Sequence, residues 1–83
     1  MEKIAMAAIK LSDGTICVGK RHCDCFKVAS DMGKDGFNET QGFITNIDNR
    51  FVGRREARQI AEKAGQLIAR ASKGNILYSE DIY

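Results

Sequence analysis

Residues 3–11, KIAMAAIKL, are apolar at nearly every position, with Ile4, Met6 and Ala8 on one strand face and Ala5, Ala7 and Ile9 on the other. A strand apolar on both faces suits a sheet packed by helices on one side and by a partner subunit on the other. The pair Asp13-Gly14 follows, a two-residue hairpin signal of the type I′ kind. The return strand is TICVG, residues 15–19. In the segment RHCDCFKVASDMGKDG, Phe26, Ala29 and Met32 or Gly33 recur at helical spacing, and the Gly and Asp residues after Met32 end a short helix. TQGFITNIDNRFV, residues 40–52, reads as a second hairpin with a short Asn/Asp loop. If Ile44 pairs with Phe51 there, Phe43 points to the opposite face, so a single phenylalanine is left to stack on a ligand.

From Arg54 the pattern becomes helical. Ala57, Ile60, Ala61, Ala64, Leu67, Ile68 and Ala71 form one apolar stripe, which predicts a long helix stopped by SKGN at 72–75. Gly65 lies beside Ala61 and Ile68 on that stripe, as in a helix packed tightly on the sheet or on a second helix. ILYSEDIY closes the sequence as an extended piece. The predicted order is strand, strand, helix, strand, strand, helix: a single α+β domain, ββαββα, with an antiparallel sheet.

Size and charge refine this picture. A chain of 83 residues buries a small core, and oligomerisation is a common remedy. The apolar run from Ile4 to Ile9 is too short for a signal h-region or a membrane span, so a cytoplasmic protein with reduced thiols is expected. The net charge of +2 is unevenly spread. Residues 50–73 hold seven basic side chains against two acidic ones, giving that segment +5 and the remainder −3. Such asymmetry points to an anionic partner at one place.

The helix that begins near Gly53 is the centre of that charge. Arg54, Arg55 and Arg58 crowd its first turns, with Arg50 just upstream. They oppose the macrodipole at a cost of a few tenths of a kcal/mol each, roughly, when exposed. Glu56 offsets part of this, and Gly53 brings no side chain to cap the helix. Such a start is poorly built for stability and well built for an anion. Phe43 and Phe51 on the preceding hairpin bring aromatic faces that suit a nucleobase. The alternative is a core Phe51 with solvated arginines. GKRH, residues 19–22, places Lys20, Arg21 and His22 at the start of the first helix, either as a second phosphate site or as a solvated turn.

The cluster His22-Cys23-Asp24-Cys25 invites a metal reading, but strong zinc signatures pair two Cys/His couples. On a helix, Cys23 and Cys25 stand about 200° apart and cannot grip one ion. His22 could activate Cys25 or Cys17 as a nucleophile, but neither of these lies in a nucleophile motif, and no P-loop, dinucleotide fingerprint or carboxylate pair appears. No catalytic residue, metal or cofactor is expected.

QGFITNIDNRFVGRREARQIAEKAGQ followed by LYSEDIY resembles a family of small phage proteins, the first-described class of Thoeris anti-defence sponges, and AAIKLSDGTICVGKRH is similar to the start of the same family. Arg50, Phe51, Val52, Arg54, Glu56, Ala57, Ala64, Gly65, Gln66, Ser79, Glu80, Asp81 and Tyr83 carry the resemblance. It implies a non-enzymatic role in the bacterial cytoplasm during infection. Such sponges bind a cyclic ADP-ribose isomer intact, so that the immune effector it signals to is not activated. Some assemble as dimers or hexamers and also hold cyclic oligonucleotides. The expected ligand-binding set is Arg21, His22, Phe43, Arg50, Phe51, Arg54, Arg55 and Arg58. The expected state is a homo-oligomer with sites shared between subunits and no membrane contact. The rival readings are a small nucleic-acid-binding phage regulator and a redox or metal protein built on His22 and the cysteines.

Overall fold

The computed structural model describes every residue except Asp35, Arg70 and Tyr83. Strands β1 (Ile4–Leu11) and β2 (Ile16–Gly19) are followed by helix α1 (His22–Asp31). Strands β3 (Glu39–Thr45) and β4 (Phe51–Gly53) then lead directly into helix α2 (Arg54–Lys63). The predicted ββαββα order is the order observed. The sheet is antiparallel, in the spatial order β2-β1-β3-β4.

Both hairpins form, but their turns differ from the sequence expectation. The first is a three-residue loop: the Gly14 amide donates to the Leu11 carbonyl, and the Leu11 amide to the Thr15 carbonyl. Only Gly14 takes a positive φ there, +91°, so this is a type I turn closed by a glycine bulge. The type I′ geometry lies in the second hairpin instead, where Asp48 and Asn49 have φ of 57° and 50°. Asn and Asp tolerate this region because their short side chains bond locally.

Register sorts the side chains. Ile44 pairs with Phe51 and Phe43 with Val52, so the two phenylalanines do point to opposite faces. On β1 the register shifts between Ile4 and Met6. That bulge carries Ile4 onto the same face as Ala7, Ile9 and Leu11, and all four join one core. Phe43, Val52 and Cys17 complete the sheet side of that core. Helix α1 adds Cys25 and Ala29, α2 adds Ala57, Ile60 and Ala61, and Leu77 enters from the C-terminal segment. Both helices therefore pack on one face. The opposite face presents Met6, Ala8, Ile16, Val18, Ile44 and Phe51, with Ile16 and Val18 exposed.

The helix stops share one device. Gly33 and Gly65 adopt φ of +72° and +69°. After each, the amide of the next residue reaches back past the helix end: Lys34 to the Ala29 carbonyl, and Gln66 to the Ala61 carbonyl. This is the Schellman arrangement, which favours glycine. It corrects the expected long helix, because α2 ends at Lys63 and Gly65 is its stop, not a packing residue inside it. Leu67 still packs against the core, but from a non-helical segment. The stripe was apolar for burial and not for helix.

Gly42 sits in mid-sheet, paired with Ala8 on one side and Gly53 on the other. A Cβ there would collide with the Val52 carbonyl oxygen and with the Phe51 ring, which lies over the glycine. The Val52 contact is with backbone, so it cannot be relieved by a rotamer change. Gly42→Ala is expected to lower stability by about 1–3 kcal/mol. A urea unfolding midpoint equal to that of the parent chain would contradict this packing.

Candidate functional site

The two basic helix starts meet at Gly42. Gly53, the residue that caps α2, pairs with Gly42 across β3 and β4. His22, the first residue of α1, donates from Nε2 to the Gly42 carbonyl over 2.8 Å. Since a carbonyl can only accept, Nε2 carries the proton of this bond. The C-terminal segment then bridges the two starts. The Leu77 amide donates to the Arg54 carbonyl at 3.0 Å. The Arg54 guanidinium lies 5.6 Å from the centre of the Tyr78 ring, and Arg21 Nη1 is 3.8 Å from a Glu80 carboxylate oxygen. Arg21, His22 and Arg54 are thereby gathered around one end of the sheet. Arg55 follows on the exposed side of α2.

The remaining predicted residues have other duties. Arg50 binds Glu2 through Nε and Nη2 and Glu56 through Nη1, with oxygen distances of 2.9–3.2 Å. This clamp ties the second hairpin to the N-terminus and to α2. The Arg50 guanidinium holds the Glu2 carboxyl below its ordinary pKa, and the two carboxylates raise that of Arg50 in turn. Arg58 is buried, 7% exposed. It donates from Nε to Glu62 at 3.1 Å and from Nη1 to the Ser72 carbonyl at 2.8 Å, and lies 3.7 Å from Asp81. Phe43 is fully buried and meets the His22 ring edge-on at 4.9 Å. Phe51 is half-buried, its ring spread over Gly42.

By contrast, Arg54 and Arg55 have no carboxylate partner among the described residues. Gly53 brings no side chain to cap the start of α2. The first amides of the helix have no intrahelical acceptor, and no side chain among the described residues caps them. Arg54, Arg55 and that helix start form a cationic surface next to the Arg21–His22 corner.

Most residues behind the sequence resemblance turn out to hold the fold. Glu56 anchors Arg50, Ala57 is core, and Gly65 stops α2. The Gln66 side-chain amide clips the start of β1, its oxygen accepting from the Ile4 amide at 2.8 Å and its nitrogen donating to the Ile4 carbonyl at 2.9 Å. Asp81 is the hub of the C-terminal segment, accepting from the Ser72 amide and hydroxyl and from the Tyr78 amide at 2.8–3.0 Å. Arg70 and Tyr83 lie outside the described residues.

All three cysteines are free thiols. Cys25 is buried and donates to the Arg21 carbonyl, and burial followed by the nearby Asp24 charge pushes its pKa up to about 11. Cys17 is buried and Cys23 exposed. No group of metal-ligating side chains converges among the described residues. Surface cavities of about 370, 280 and 350 Å³ lie elsewhere on the described residues, and these three are not lined by any of the eight predicted ligand-binding residues. Tyr78 beside Arg54 was missed in the sequence. Its only signal there was an aromatic next to the Ser-Glu-Asp word.

A family model described as Phage T4 y16D protein matches residues 3–83, and the chain belongs to that family. No curated protein and no solved structure matches it. No helix among the described residues is long and apolar enough to cross a membrane.

The Asp81 hub has a pH signature. Burial opposes its charge, but the amide bonds from Ser72 and Tyr78, the Ser72 hydroxyl and Arg58 outweigh that, and its pKa falls below the ordinary 3.8. Its stabilisation is therefore complete above the unfolded pKa and is lost as pH falls through the lower folded value. Asp81→Asn is expected to cost about 2 kcal/mol at neutral pH. The gap from the parent chain in urea midpoint should narrow as pH drops below 3.8. A gap independent of pH would contradict the charged hub.

Proposed function

We propose that this member of the phage family sequesters a cyclic ADP-ribose isomer, bound intact, and so keeps a bacterial immune effector inactive. The observation that carries the reading is the pair Arg54 and Arg55, left without a carboxylate partner among the described residues at the uncapped start of α2. The fold spends Arg50 and Arg58 on ion pairs and leaves these two outward. Arg54 is also the charged residue of the resemblance that the fold does not consume.

A cyclic dinucleotide-like signal presents a pyrophosphate and an adenine. Guanidinium groups bind phosphate oxygens through charge-assisted, often paired hydrogen bonds. Arg21 at the start of α1 brings further positive charge to the same corner, moderated by Glu80. Capture at nanomolar concentration requires about −12 kcal/mol. One small chain is a poor enclosure for that. The working form is accordingly a homo-oligomer, a dimer or hexamer, with each site closed by a neighbouring subunit. Its exposed sheet face, with Ile16 and Val18, is apolar enough to serve such contacts. Cyclic oligonucleotides share the phosphate chemistry and are candidate second ligands. Sequestration needs tight binding and slow release and no catalytic group. The place of action is the cytoplasm of the infected cell.

The decisive assay incubates the protein with the signal, removes the free fraction, heat-denatures the protein and tests the supernatant on the effector. Unchanged signal in the supernatant is the expected result. A chemically altered product would make the protein an enzyme, and no retention at micromolar protein would overturn the reading. Arg54→Ala and Arg55→Ala should each weaken capture by about tenfold to a hundredfold, from the worth of a hydrogen bond to a charged group. Their unfolding midpoints should match the parent chain. A steep loss of affinity with salt, together with binding to duplex DNA, would favour a nucleic-acid regulator instead.

A further inference from the structure

The geometry points to Tyr78 as the residue that recognises the base: its ring stacks on the nucleobase whose phosphates Arg54 holds, making the site select nucleotides over simple sugar phosphates. The inference rests on the sequestration reading for the class of ligand and adds the element that reads the base. The aromatic side chains first suspected are otherwise engaged, Phe43 in the core and Phe51 over Gly42. Tyr78 is 42% exposed, whereas Leu77 and Ser79 on either side are 0% and 1% exposed. The chain at this point is anchored on both flanks and turns only the tyrosine ring outward.

The anchors are specific. The Leu77 amide donates to the Arg54 carbonyl at 3.0 Å, and the Tyr78 amide to an Asp81 carboxylate oxygen at 2.9 Å. Ring and arginine are thus fixed to one another through backbone as well as side chain. The guanidinium stands 5.6 Å from the ring centre, within cation–π range. A phosphate on Arg54 therefore places an attached nucleoside within reach of the ring. Base stacking on an aromatic side chain is tolerant of base identity and costs little to organise when the ring is already held.

The test titrates the full chain with adenosine 5′-monophosphate and, separately, with ribose 5-phosphate, which keeps the phosphate and lacks the base. The parent chain should prefer the nucleotide by about tenfold or more. Tyr78→Phe should keep that preference, and Tyr78→Leu should lose it, binding the nucleotide and ribose 5-phosphate about equally. In the parent protein, Tyr78 ring proton signals should move upfield on adding the nucleotide and stay in place with ribose 5-phosphate, a readout that requires no variant. No preference in the parent chain, or an undiminished preference in Tyr78→Leu, would overturn the inference. A Tyr78-dependent preference alongside failure of the capture assay would overturn sequestration and leave the stacking role standing.

Discussion

The structure turns on a place where only hydrogen fits. At Gly42, in the middle of β3, the Val52 carbonyl and the Phe51 ring occupy the space a side chain would take. That close approach lets β4 run straight into α2 with Gly53 opposite Gly42. The Gly42 carbonyl in turn receives His22 from the start of α1. Two helix beginnings that are distant in sequence therefore share one point on the sheet. Their positive ends and their basic side chains converge as a consequence, and the C-terminal segment is laid between them by the Leu77–Arg54 bond and the Arg21–Glu80 pair.

The arginines then divide by what surrounds them. Arg50 and Arg58 hold three distant pieces of chain together, and every charge they carry is answered by carboxylates or a carbonyl. Arg58 would be costly to bury unpaired, which is why Asp81, Glu62 and the Ser72 carbonyl gather around it. Arg54 and Arg55 stand where the helix dipole repels them. A fold selected for stability alone places acids at such a start, and here only Glu56 is acidic in the first turn, already shared with Arg50. The adverse placement is intelligible if an anion supplies the missing charge.

Local chemistry in the sequence was enough for the ββαββα order, both hairpins, the end of α1 and the opposed faces of Phe43 and Phe51. Each depends on neighbours a few residues apart: alternation, turn residues, a terminal glycine. It was not enough for the closing segment, expected to be extended, where Ser79–Asp81 forms a 3-10 turn held by the Asp81 carboxylate. The end of α2 was not legible, because the apolar spacing ran on through Leu67 and Ile68 and the sign of φ at Gly65 is invisible in a stripe of small residues. The Asp13-Gly14 pair suggested the wrong turn type because its glycine closes a longer loop, while Asp48-Asn49 took the left-handed pair without any glycine. The roles of Gln66 and Asp81 come from contacts with Ile4, Ser72 and Arg58, which sequence spacing does not encode. In the candidate site, the basic residues were visible as a charge asymmetry. Which of them the fold would neutralise, and which aromatic would stand beside them, depended on tertiary partners.

The starts of α1 and α2 make a cationic corner that suits a nucleotide-like anion. Backbone amide shifts of the isotopically labelled protein, followed by NMR while the cyclic ADP-ribose isomer is added, test it most directly. The largest shifts are expected at Arg21, His22, Arg54, Arg55 and Tyr78, with Arg58 and the Phe26–Phe37 cavity little affected. Shifts concentrated at that cavity or around Glu2 and Lys63, with the helix starts unmoved, would contradict it.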